Sequence, residues 1–452
     1  MKRYPFFGLA AAVLAVSPWL QAQDAAPITP RVVVEEEVYR FVAPNNGSGP
    51  MWSFGCTPIL RLGEQVIVSK MDTGPEVPPL ANTRWVLLKR TTEGWKEMAE
   101  EGMYRQREPG VLAMVSPTDL YLNVNDSLEP VGAMYKPARP YLIHFALGKR
   151  EEAGLPLFPQ WGATIPHFTD HSYRGFAADP ERLELLMLNI DAETGVEYAC
   201  LLNTAGETLA NGHIEFPIRA CYPQVALKNR AAHVLAIGDI HEPVKEWETY
   251  KFEQTKATWD YVFRILYYTQ TRDLTQQDFA PPIEIANVDA TAGHISNKDL
   301  WVSPEGDAYI LYTQREVASE LMRDKFFPGK SVLDSLRLAV VHNGQVAERR
   351  TLLEEDPARP TGDARFHVTA DGRVWAFLHL GGEGGGHKLM QVYPASPTPS
   401  PDFVDVPLQH LGASFLISHT RAGAPPSNVL DVFGPGPDNA MYYAEVRLAA
   451  GG

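Results

Sequence analysis

The stretch Phe366–Gly381, FHVTADGRVWAFLHLG, decides the fold class of this chain. It places a strand-like run before a polar turn at Asp371-Gly372 and an apolar run with Trp375 after the turn. Aspartate and glycine are common between two antiparallel strands, because both tolerate the positive φ angles of tight turns. The stretch is therefore predicted to form a β-hairpin.

The same design occurs six more times along the chain, at residues 60–70, 113–124, 176–189, 226–239, 301–314 and 432–446. The seven turns centre near residues 63, 118, 180, 230, 305, 371 and 438, about 50 to 75 residues apart. Hairpin repeats of this length, without a sustained helical period, are typical of blades around an axis. We expect an all-β, seven-bladed β-propeller of four-stranded antiparallel blades. Two β-sandwich domains are the alternative with similar strand spacing.

The composition is that of a globular protein with a large core: 452 residues, of which 45% are hydrophobic and 21% charged. The formal net charge of −15 repels nucleic acid and anionic membranes. A nucleic-acid partner is therefore not expected. A polyanionic ligand would need a locally basic pocket.

The N-terminus has the pattern of a secretory signal. Lys2 and Arg3 precede an apolar run from Phe6 to Leu20, and small or polar residues follow. A membrane anchor is the alternative, but the run is short and a Ser-Pro pair breaks it. No later stretch is long enough to span a bilayer. We expect residues 1–23 to be a signal peptide, residues 24–452 to form a single propeller domain, and the protein to be secreted or periplasmic.

Three cysteines, Cys56, Cys200 and Cys221, permit at most one disulfide bond within the chain. Cys200 with Cys221 is the preferred pair, because these residues flank two neighbouring predicted strands; buried free thiols are the alternative. A structural divalent metal ion is a further possibility. His233 and His241 lie in one predicted blade, but no third ligand completes a recognised zinc spacing.

In a propeller, the first strand of each blade begins at the mouth of the central channel, so residues just before the repeated hairpins are expected to face a ligand. These positions are Cys56, Arg107, Glu108, His171, Tyr173, Arg174, Arg219, Tyr222, His294, Arg365, His367, His419 and Arg421. Hydrolysis of a glycosidic bond usually needs two carboxylates. Elimination from a uronic acid needs a proton acceptor, a proton donor and a cation, which His, Tyr and Arg provide. The set favours elimination, although each residue also has a purely structural interpretation.

The hairpins SPEGDAYILY (303–312) and TADGRVWAF (369–377) resemble those of BNR-repeat, sialidase-like propellers, although the strict Asp-box Ser-x-Asp-x-Gly-x-x-Trp is absent. Within that group, His171, Tyr222 and His294 on successive blades are similar to the arrangement in propeller polysaccharide lyases that cleave ulvan. The resemblance implies a secreted lyase acting on an acidic, uronate-containing polysaccharide. His171 and Tyr222 would be its acid-base groups, and His294 a catalytic or substrate-orienting group.

The expected substrate-binding residues are His144, Tyr173, Arg174, Arg219, Arg230 and Arg365. The arginine that neutralises the uronate is not fixed by the resemblance, and Arg174, Arg219 and Arg230 are all possible. Some of these lyases hold a metal ion, which here would draw on His233, His241, Cys200 or Cys221. Two rival functions stay open. One is a sialidase-type hydrolase with an Arg107, Arg365 and Arg421 cluster and a carboxylate beside a tyrosine; the other is a non-catalytic glycan-binding propeller.

Overall fold

The computed structural model describes residues 28–53, 55–148, 154–162, 166–171, 173–394 and 403–450. The predicted signal peptide lies outside these residues. The described chain forms seven four-stranded antiparallel sheets and one short two-stranded sheet. The four-stranded sheets are the blades of a propeller, which confirms the predicted fold class.

Each blade is a meander of strands that are numbered here in chain order. The N-terminal strand β1 (Ile28–Arg40) is the outermost strand of the last blade. Blade 1 contains β2 (Ile59–Leu62), β3 (Gln65–Thr73), β4 (Thr83–Thr91) and β5 (Gly94–Glu100). Blade 2 contains β6 (Val111–Ser116), β7 (Asp119–Ser127), β8 (Ala138–Ala146) and β9 (Leu155–Leu157). Blade 3 contains β10 (Gly175–Asp179), β11 (Glu184–Ile190), β12 (Glu197–Asn203) and β13 (Thr208–Ile214).

The second half of the ring follows the same plan with one inserted hairpin. Blade 4 contains β14 (Ala220–Lys228), β15 (Ala231–Gly238), β18 (Ile265–Thr271) and β19 (Ile283–Asn287), and its inserted hairpin contains β16 (Ile240–His241) and β17 (Tyr261–Val262). Blade 5 contains β20 (His294–Val302), β21 (Ala308–Arg315), β22 (Ser335–His342) and β23 (Gln345–Leu353). Blade 6 contains β24 (Thr361–Val368), β25 (Val374–Leu380), β26 (Gly386–Tyr393) and β27 (Phe403–Val406). Blade 7 contains β28 (Leu416–Ile417), β29 (Val429–Pro435), β30 (Ala440–Ala450) and β1.

All seven predicted hairpins are present. In blades 1 to 6 the hairpin joins the first and second strands. The seventh turn, near Asp438, instead joins β29 and β30, the second and third strands of blade 7. The shift arises because β28 has only two residues and the chain then leaves the sheet before β29 begins.

Blade 7 closes the ring by combining the two ends of the described chain. β1 pairs with β30 from Ile28 opposite Ala450 to Arg40 opposite Ala440. Arg61 of blade 1 also bonds to Asp431 at 2.7 Å and to Glu445 at 2.8 Å, both in blade 7. Closure of this kind leaves no long unpaired edge between the first and last blades.

The core lies between neighbouring blades. All seven residues of β11 are buried, since its blade is covered on both faces, whereas the outermost strands β13 and β23 alternate with exposed positions. At the seam of blades 4 and 5, for example, Leu235 and Tyr268 pack in one cluster with Ile310. Stacking blades radially therefore buries surface that a single sheet would leave in water.

A short turn, Thr420–Ala422, fills the channel at the axis of the ring. The Arg421 guanidinium donates to the carbonyls of Gly55 and Val225 and forms a 2.5 Å ion pair with Asp299 of β20. One side chain of blade 7 thus contacts the inner strands of two other blades and the segment that leads into blade 1. Gly423 follows at φ +87°, and a Cβ there would lie 1.8 Å from the backbone oxygen of Met114 in β6. We refer to residues 419–424 as the plug.

Long connections, among them those that follow β15 and β21, lie at the end of the ring where the first strands of blades 1 to 6 begin. We name this end the upper face. Two of them contain helices, α1 (Lys245–Thr255) and α2 (Glu320–Phe326). The helices pack together through Trp247 against Phe327 and Tyr250 against Phe326, with ring centroids 5.5 and 5.3 Å apart. The insertion that contains α1 therefore forms a helix that packs on α2 and the residue after it. Neither helix has the length and apolar composition of a membrane span, and the other described residues contain no such helix.

Candidate functional site

A cavity of about 360 Å³ opens at the upper face, over the inner strands of blades 4, 5 and 6. Its described lining combines an aromatic wall with cationic and amide groups. The lining residues are Met51, Gly55, Tyr222, Gln224, Ile237, Phe263, His294, Ile295, Ser296, Asn297, Lys298, Asp363, Arg365 and Ser414. Three residues predicted from the sequence, Tyr222, His294 and Arg365, are therefore brought together here.

Tyr222 is presented to the cavity by an irregular backbone. The pairing of β14 with β15 is interrupted between Cys221 and Gln224, because Pro223 has no N–H to donate to the ladder. Tyr222 itself adopts φ +55°, a left-handed conformation that is unusual for an aromatic residue. Its carbonyl accepts a 2.9 Å hydrogen bond from Asn297 Nδ2 of blade 5. Burial, with the charge of Asp239, raises the pKa of Tyr222, so its hydroxyl keeps its proton near neutral pH.

His294 is the first residue of β20, and Phe263 contacts both His294 and Tyr222. The Phe263 ring is 5.7 Å from Tyr222 and 5.9 Å from His294, measured between ring centroids. Within the described chain, no hydrogen bond joins the His294 imidazole to another group. Burial, with the positive charge of Arg315, lowers the pKa of His294 to about 4. The ring is therefore neutral near pH 7 and has a lone pair free to accept a proton.

His171 lies beside the cavity rather than in its wall. Its Nδ1 is 2.7 Å from Glu108 Oε1, and its ring centroid lies 3.8 Å from that of Tyr173. Burial lowers the pKa of His171, and Glu108 opposes that decrease only in part. Tyr173, also at a positive φ, is hydrogen-bonded to Tyr222. Among the described residues, Tyr173 thus contacts both His171 and Tyr222.

Arg219 is the predicted arginine that lies nearest to the two tyrosines. Its guanidinium is 5.0 Å from the Tyr173 ring centroid, is hydrogen-bonded to the Tyr173 side chain, and pairs with Asp239 at 2.8 Å. Behind it, both Glu197 side-chain oxygens are buried without a hydrogen bond, and burial raises the pKa of this carboxyl well above its usual value. Burial therefore favours the neutral form of the Glu197 carboxyl, and Asp239 is the carboxylate that pairs with Arg219.

Aromatic and cationic side chains form a continuous series along the upper face. Successive ring-to-ring or guanidinium-to-ring distances lie between 3.8 and 5.9 Å. The members, from blade 2 to blade 5, are Tyr135, Arg107, Trp52, His171, Tyr173, Tyr222, Phe263 and His294. Tyr135, at the outer end, is 57% exposed. We name this series the aromatic track.

The cations of the cavity lie opposite Tyr222, on blades 5 and 6. Arg365 donates to both carboxylate oxygens of Asp363, at 2.7 and 2.9 Å, and to the carbonyl of Lys298. The Lys298 ammonium is 3.6 Å from the same carboxylate. Two cations thus share one anion, which leaves a net positive charge at this wall.

The other predicted substrate-binding residues do not line the cavity. Arg174 is buried and donates to the carbonyls of Pro109 and Asn123, so it supports the packing of blades 2 and 3. His144 is on β8, 2.9 Å from Asp119, and Arg230 pairs with Glu184 at 2.9 Å. Both of these residues lie beside the lower hairpins, at the opposite end of the ring from Tyr222. The resemblance offered both as channel or substrate-binding residues, whereas β8 ends at the lower end of the ring and Arg230 lies in the turn between β14 and β15.

The preferred disulfide is not formed, because all three cysteines are free and buried. Cys200 is on the third strand of blade 3, with its sulfur 3.7 Å from the Gln160 carbonyl, whereas Cys221 is on the first strand of blade 4.

The residues considered as metal ligands also do not lie together in one site. His233 Nδ1 is 2.6 Å from the Tyr268 hydroxyl, and the described residues contain no group of three His, Cys, Asp or Glu side chains that fits a metal. These residues do not fit the implied metal site.

The three arginines of the sialidase-type alternative do not form a cluster. Arg421 is in the plug and paired with Asp299, and Arg365 is paired with Asp363. Arg107 is distant from both, between Trp52 and Tyr135 on the aromatic track. The carboxylate-binding triad that this alternative requires is therefore not assembled from these residues.

Neither a protein-family model nor a curated protein matches the chain. Solved structures match in fold. The polysaccharide lyase Uly1 is 10% identical over 94% of this chain and 98% of its own, with a TM-score of 0.50. Hydrazine synthase of Kuenenia stuttgartiensis is 9% identical over 91% of this chain and 100% of its own, also at 0.50. An α-L-arabinofuranosidase of Fusarium graminearum is 9% identical over 92% of this chain and 98% of its own, at 0.44.

These likenesses establish the fold and no activity. The two structures with a TM-score of 0.50 are a lyase and a hydrazine synthase, so the propeller by itself does not select a reaction. The BNR-repeat assignment stays a prediction. The function has to be inferred from the side chains of the cavity.

Sequence reasoning missed several residues of the site. Trp52 lies in the segment that crosses the upper face before β2, and Phe263 follows the inserted hairpin of blade 4, so neither precedes a repeated hairpin. Lys298 and Asp363 lie within first strands rather than before them. The signal that could have found Lys298 is its place inside the first strand of a blade, where a lysine is costly unless it serves a ligand or an ion pair.

Proposed function

We propose that this protein is a secreted or periplasmic polysaccharide lyase that cleaves an acidic, uronate-containing glycan by β-elimination. One observation carries the proposal: a single cavity holds a protonated tyrosine, a neutral histidine without a hydrogen bond, and two cations that share one carboxylate. The fold that the chain shares with a polysaccharide lyase supports this proposal. An acidic glycan would bind this positive wall despite the net negative charge of the chain.

The proposed reaction begins with the uronate carboxylate against Lys298 and Arg365. Neutralising that carboxylate makes the neighbouring C5 proton more acidic, because charge that develops beside it in the transition state is stabilised. His294 accepts the C5 proton. The electron pair of the broken C5–H bond forms a C4=C5 double bond, the C4–O4 bond breaks, and the Tyr222 hydroxyl donates a proton to the leaving oxygen. No water is consumed in this step.

Behind Tyr222, a series of hydrogen-bonded side chains sets the acidity of the Tyr222 hydroxyl. Asp239 holds Arg219, Arg219 is hydrogen-bonded to Tyr173, and Tyr173 is hydrogen-bonded to Tyr222. When Tyr222 has given up its proton, the Tyr173 hydroxyl can donate to the phenolate. His171, which packs on Tyr173, is on this account a positioning residue and not the group that contacts the reacting sugar.

The aromatic track indicates how a long substrate would lie. Aromatic faces suit the apolar faces of sugar rings, and Arg107 between Trp52 and Tyr135 adds a cation for an acidic sugar. The track leads away from the cavity toward blade 2. A chain of several sugars would therefore contact more of the protein than a single uronate.

A hydrolase is the second candidate, because the carboxylates of Asp239 and Glu108 both act on Tyr222 electrostatically. A carboxylate near a tyrosine is one feature expected of the sialidase-type alternative. However, Asp239 is held by Arg219, and Glu108 by His171. The positive wall with Lys298 favours elimination over this second candidate.

The test is incubation with a panel of uronate polysaccharides, following the ultraviolet absorbance of the unsaturated sugar that elimination produces. Tyr222→Phe and His294→Gln should each lower kcat by about 10²- to 10⁴-fold, the usual range for loss of an acid or base. Tyr442→Phe and His342→Gln, which lie away from the cavity, are the matched controls and should keep full activity. Release of reducing ends without absorbance would instead indicate the hydrolase, and binding without either product a binding module.

A further inference from the structure

A second cavity of about 270 Å³ lies at the seam between blades 4 and 5, farther from the axis than the first. It is lined by Glu284, Ile285, Ala286 and Asn287 of β19, and by Tyr312, Gln314, Arg337 and Arg349 of blade 5. The two cavities share no lining residue. Ile295 of β20 lines the first, and Gln314, its partner on β21, lines the second, so the two cavities lie side by side on the face of blade 5 that packs against blade 4.

Strand register places the polar groups of this cavity on one face of blade 5. Tyr312 of β21 is directly opposite Arg337 of β22, so their side chains point to the same side of the sheet. Arg349 of β23 is opposite Ala339, two residues beyond Arg337, and therefore lies on that face as well. This face packs against blade 4, and its arginines converge on the outer strand of that blade.

Among the described residues, neither Arg337 nor Arg349 forms an ion pair with a carboxylate, although Glu316 is close enough to Arg337 to interact electrostatically. In the described part of the chain, Arg337 forms one side-chain hydrogen bond, from Nε to Ser335 Oγ at 3.0 Å. Arg349 donates only to the carbonyls of Ile285 and Glu284, at 2.8 and 3.3 Å. The acidic lining residue, Glu284, accepts a hydrogen bond from Asn287 at 3.0 Å. Two guanidinium groups without an ion pair are notable in a chain of net charge −15.

Tyr312 lines the same cavity as these two cations, and both act on it electrostatically. The residue is 2% exposed, and its hydroxyl forms no hydrogen bond with another described residue. Burial raises the pKa of Tyr312, and both Arg337 and Arg349 are close enough to oppose that increase. The hydroxyl is therefore a neutral donor beside two cationic ones, and the Gln314 side chain lies next to it.

We propose that this cavity is a second ligand site, which binds an oxyanion carried on a sugar, either a carboxylate or a sulfate ester. Arg337 and Arg349 supply the charge and paired N–H donors, which match the oxygens of such groups. Tyr312 and Gln314 supply neutral donors. The site goes beyond the proposed lyase function, because it binds without turnover and contains no acid-base pair for cleavage. It would hold an acidic glycan at a point away from the central cavity.

The test is calorimetric titration with glucuronate, glucose 6-sulfate, glucose and inorganic sulfate. The Arg337→Gln/Arg349→Gln variant should bind the acidic sugars at least tenfold more weakly than the wild type. An Arg40→Gln/Arg359→Gln variant, which removes the same charge from exposed positions, should bind them normally. Lys298→Met separates the two sites, since it alters only the central cavity. Tyr312→Phe keeps the ring and should weaken binding less than the double variant does. It provides a second test of the site if the double variant does not fold.

Tighter binding of glucuronate would identify the carboxylate as the natural group, and tighter binding of glucose 6-sulfate the sulfate ester; either result supports the site. Unchanged affinity in Arg337→Gln/Arg349→Gln overturns the proposal. So does equal binding of glucose, or inorganic sulfate binding as tightly as the sulfated sugar, which would mean an adventitious ion only. Because the readout is binding, a failure of the elimination assay leaves this result intact, and the converse also holds.

Discussion

Replacing Arg421 by methionine tests whether the plug holds the ring together. The side chain is 3% exposed, and its partner Asp299 is 1% exposed. Burial raises the pKa of Asp299, but the neighbouring charges of Arg421, His419 and Arg365 outweigh it and keep the pKa below its usual value. Methionine keeps most of the volume and removes the charge, so Asp299 is left buried without its closest cation.

The expected loss is large for a single substitution. Removing one partner of a buried ion pair costs about 3–5 kcal/mol, because the remaining charge stays desolvated. The unfolding entropy of residues 24–452 is roughly 0.9 kcal/mol/K, so this loss corresponds to a decrease of about 3–6 °C in Tm. The carbonyls of Gly55 and Val225 also lose their donor, which places Arg421→Met toward the upper end of the range.

Thermal unfolding followed by circular dichroism measures this effect, with Arg421→Met/Asp299→Asn as the matched variant. Asparagine removes the orphaned charge and keeps an oxygen that can accept from the backbone N–H of Phe366 or Leu300. The double variant should therefore recover at least half of the lost Tm. An unchanged Tm in Arg421→Met, or a double variant as unstable as the sum of the two single variants, would refute the reasoning.

Three further predictions follow from the site and the core. All three thiols should react with a thiol reagent only after unfolding, and reducing agent should leave Tm unchanged; a Tm decrease on reduction would show a disulfide. Since His294 must be neutral to accept a proton and its folded pKa is about 4, kcat/KM should be lost as pH falls through about 4, and a pH profile without that decrease would exclude His294 as the base. Trp52→Ala should raise KM for long glycans several-fold and leave the shortest substrates unaffected; equal effects on both would place Trp52 outside the binding track.

The fold could be predicted from the sequence because one local signal repeats. Each hairpin combines turn residues with an apolar run, and seven such units can bury their faces only against one another. The closing strand β1 has no hairpin of its own, so its pairing with β30 carries no local signal. The same holds for the plug, in which Arg421 finds its partners on strands more than a hundred residues away.

The site could be predicted only in part. Tyr222 and His294 each lie near the start of a first strand, and the ring geometry brings both to one cavity. His144 and Arg230 were proposed from the family resemblance, which does not fix where a residue lies along its strand, and the structure places both away from the cavity, beside Asp119 and Glu184. Lys298 was missed because it lies inside β20, in the polar stretch HISNKD, and its partner Asp363 is on the next blade, so the sequence around Lys298 does not indicate that the two meet.

The most direct test of the lyase account is cleavage of the active polysaccharide in water enriched in the heavy isotope of oxygen, with the products analysed by mass spectrometry. Elimination uses no water, so the account predicts products without heavy oxygen at the cleaved bond and with an unsaturated sugar at one new end. One heavy oxygen atom per cleaved bond, with no unsaturated sugar, would contradict the account and establish hydrolysis in its place.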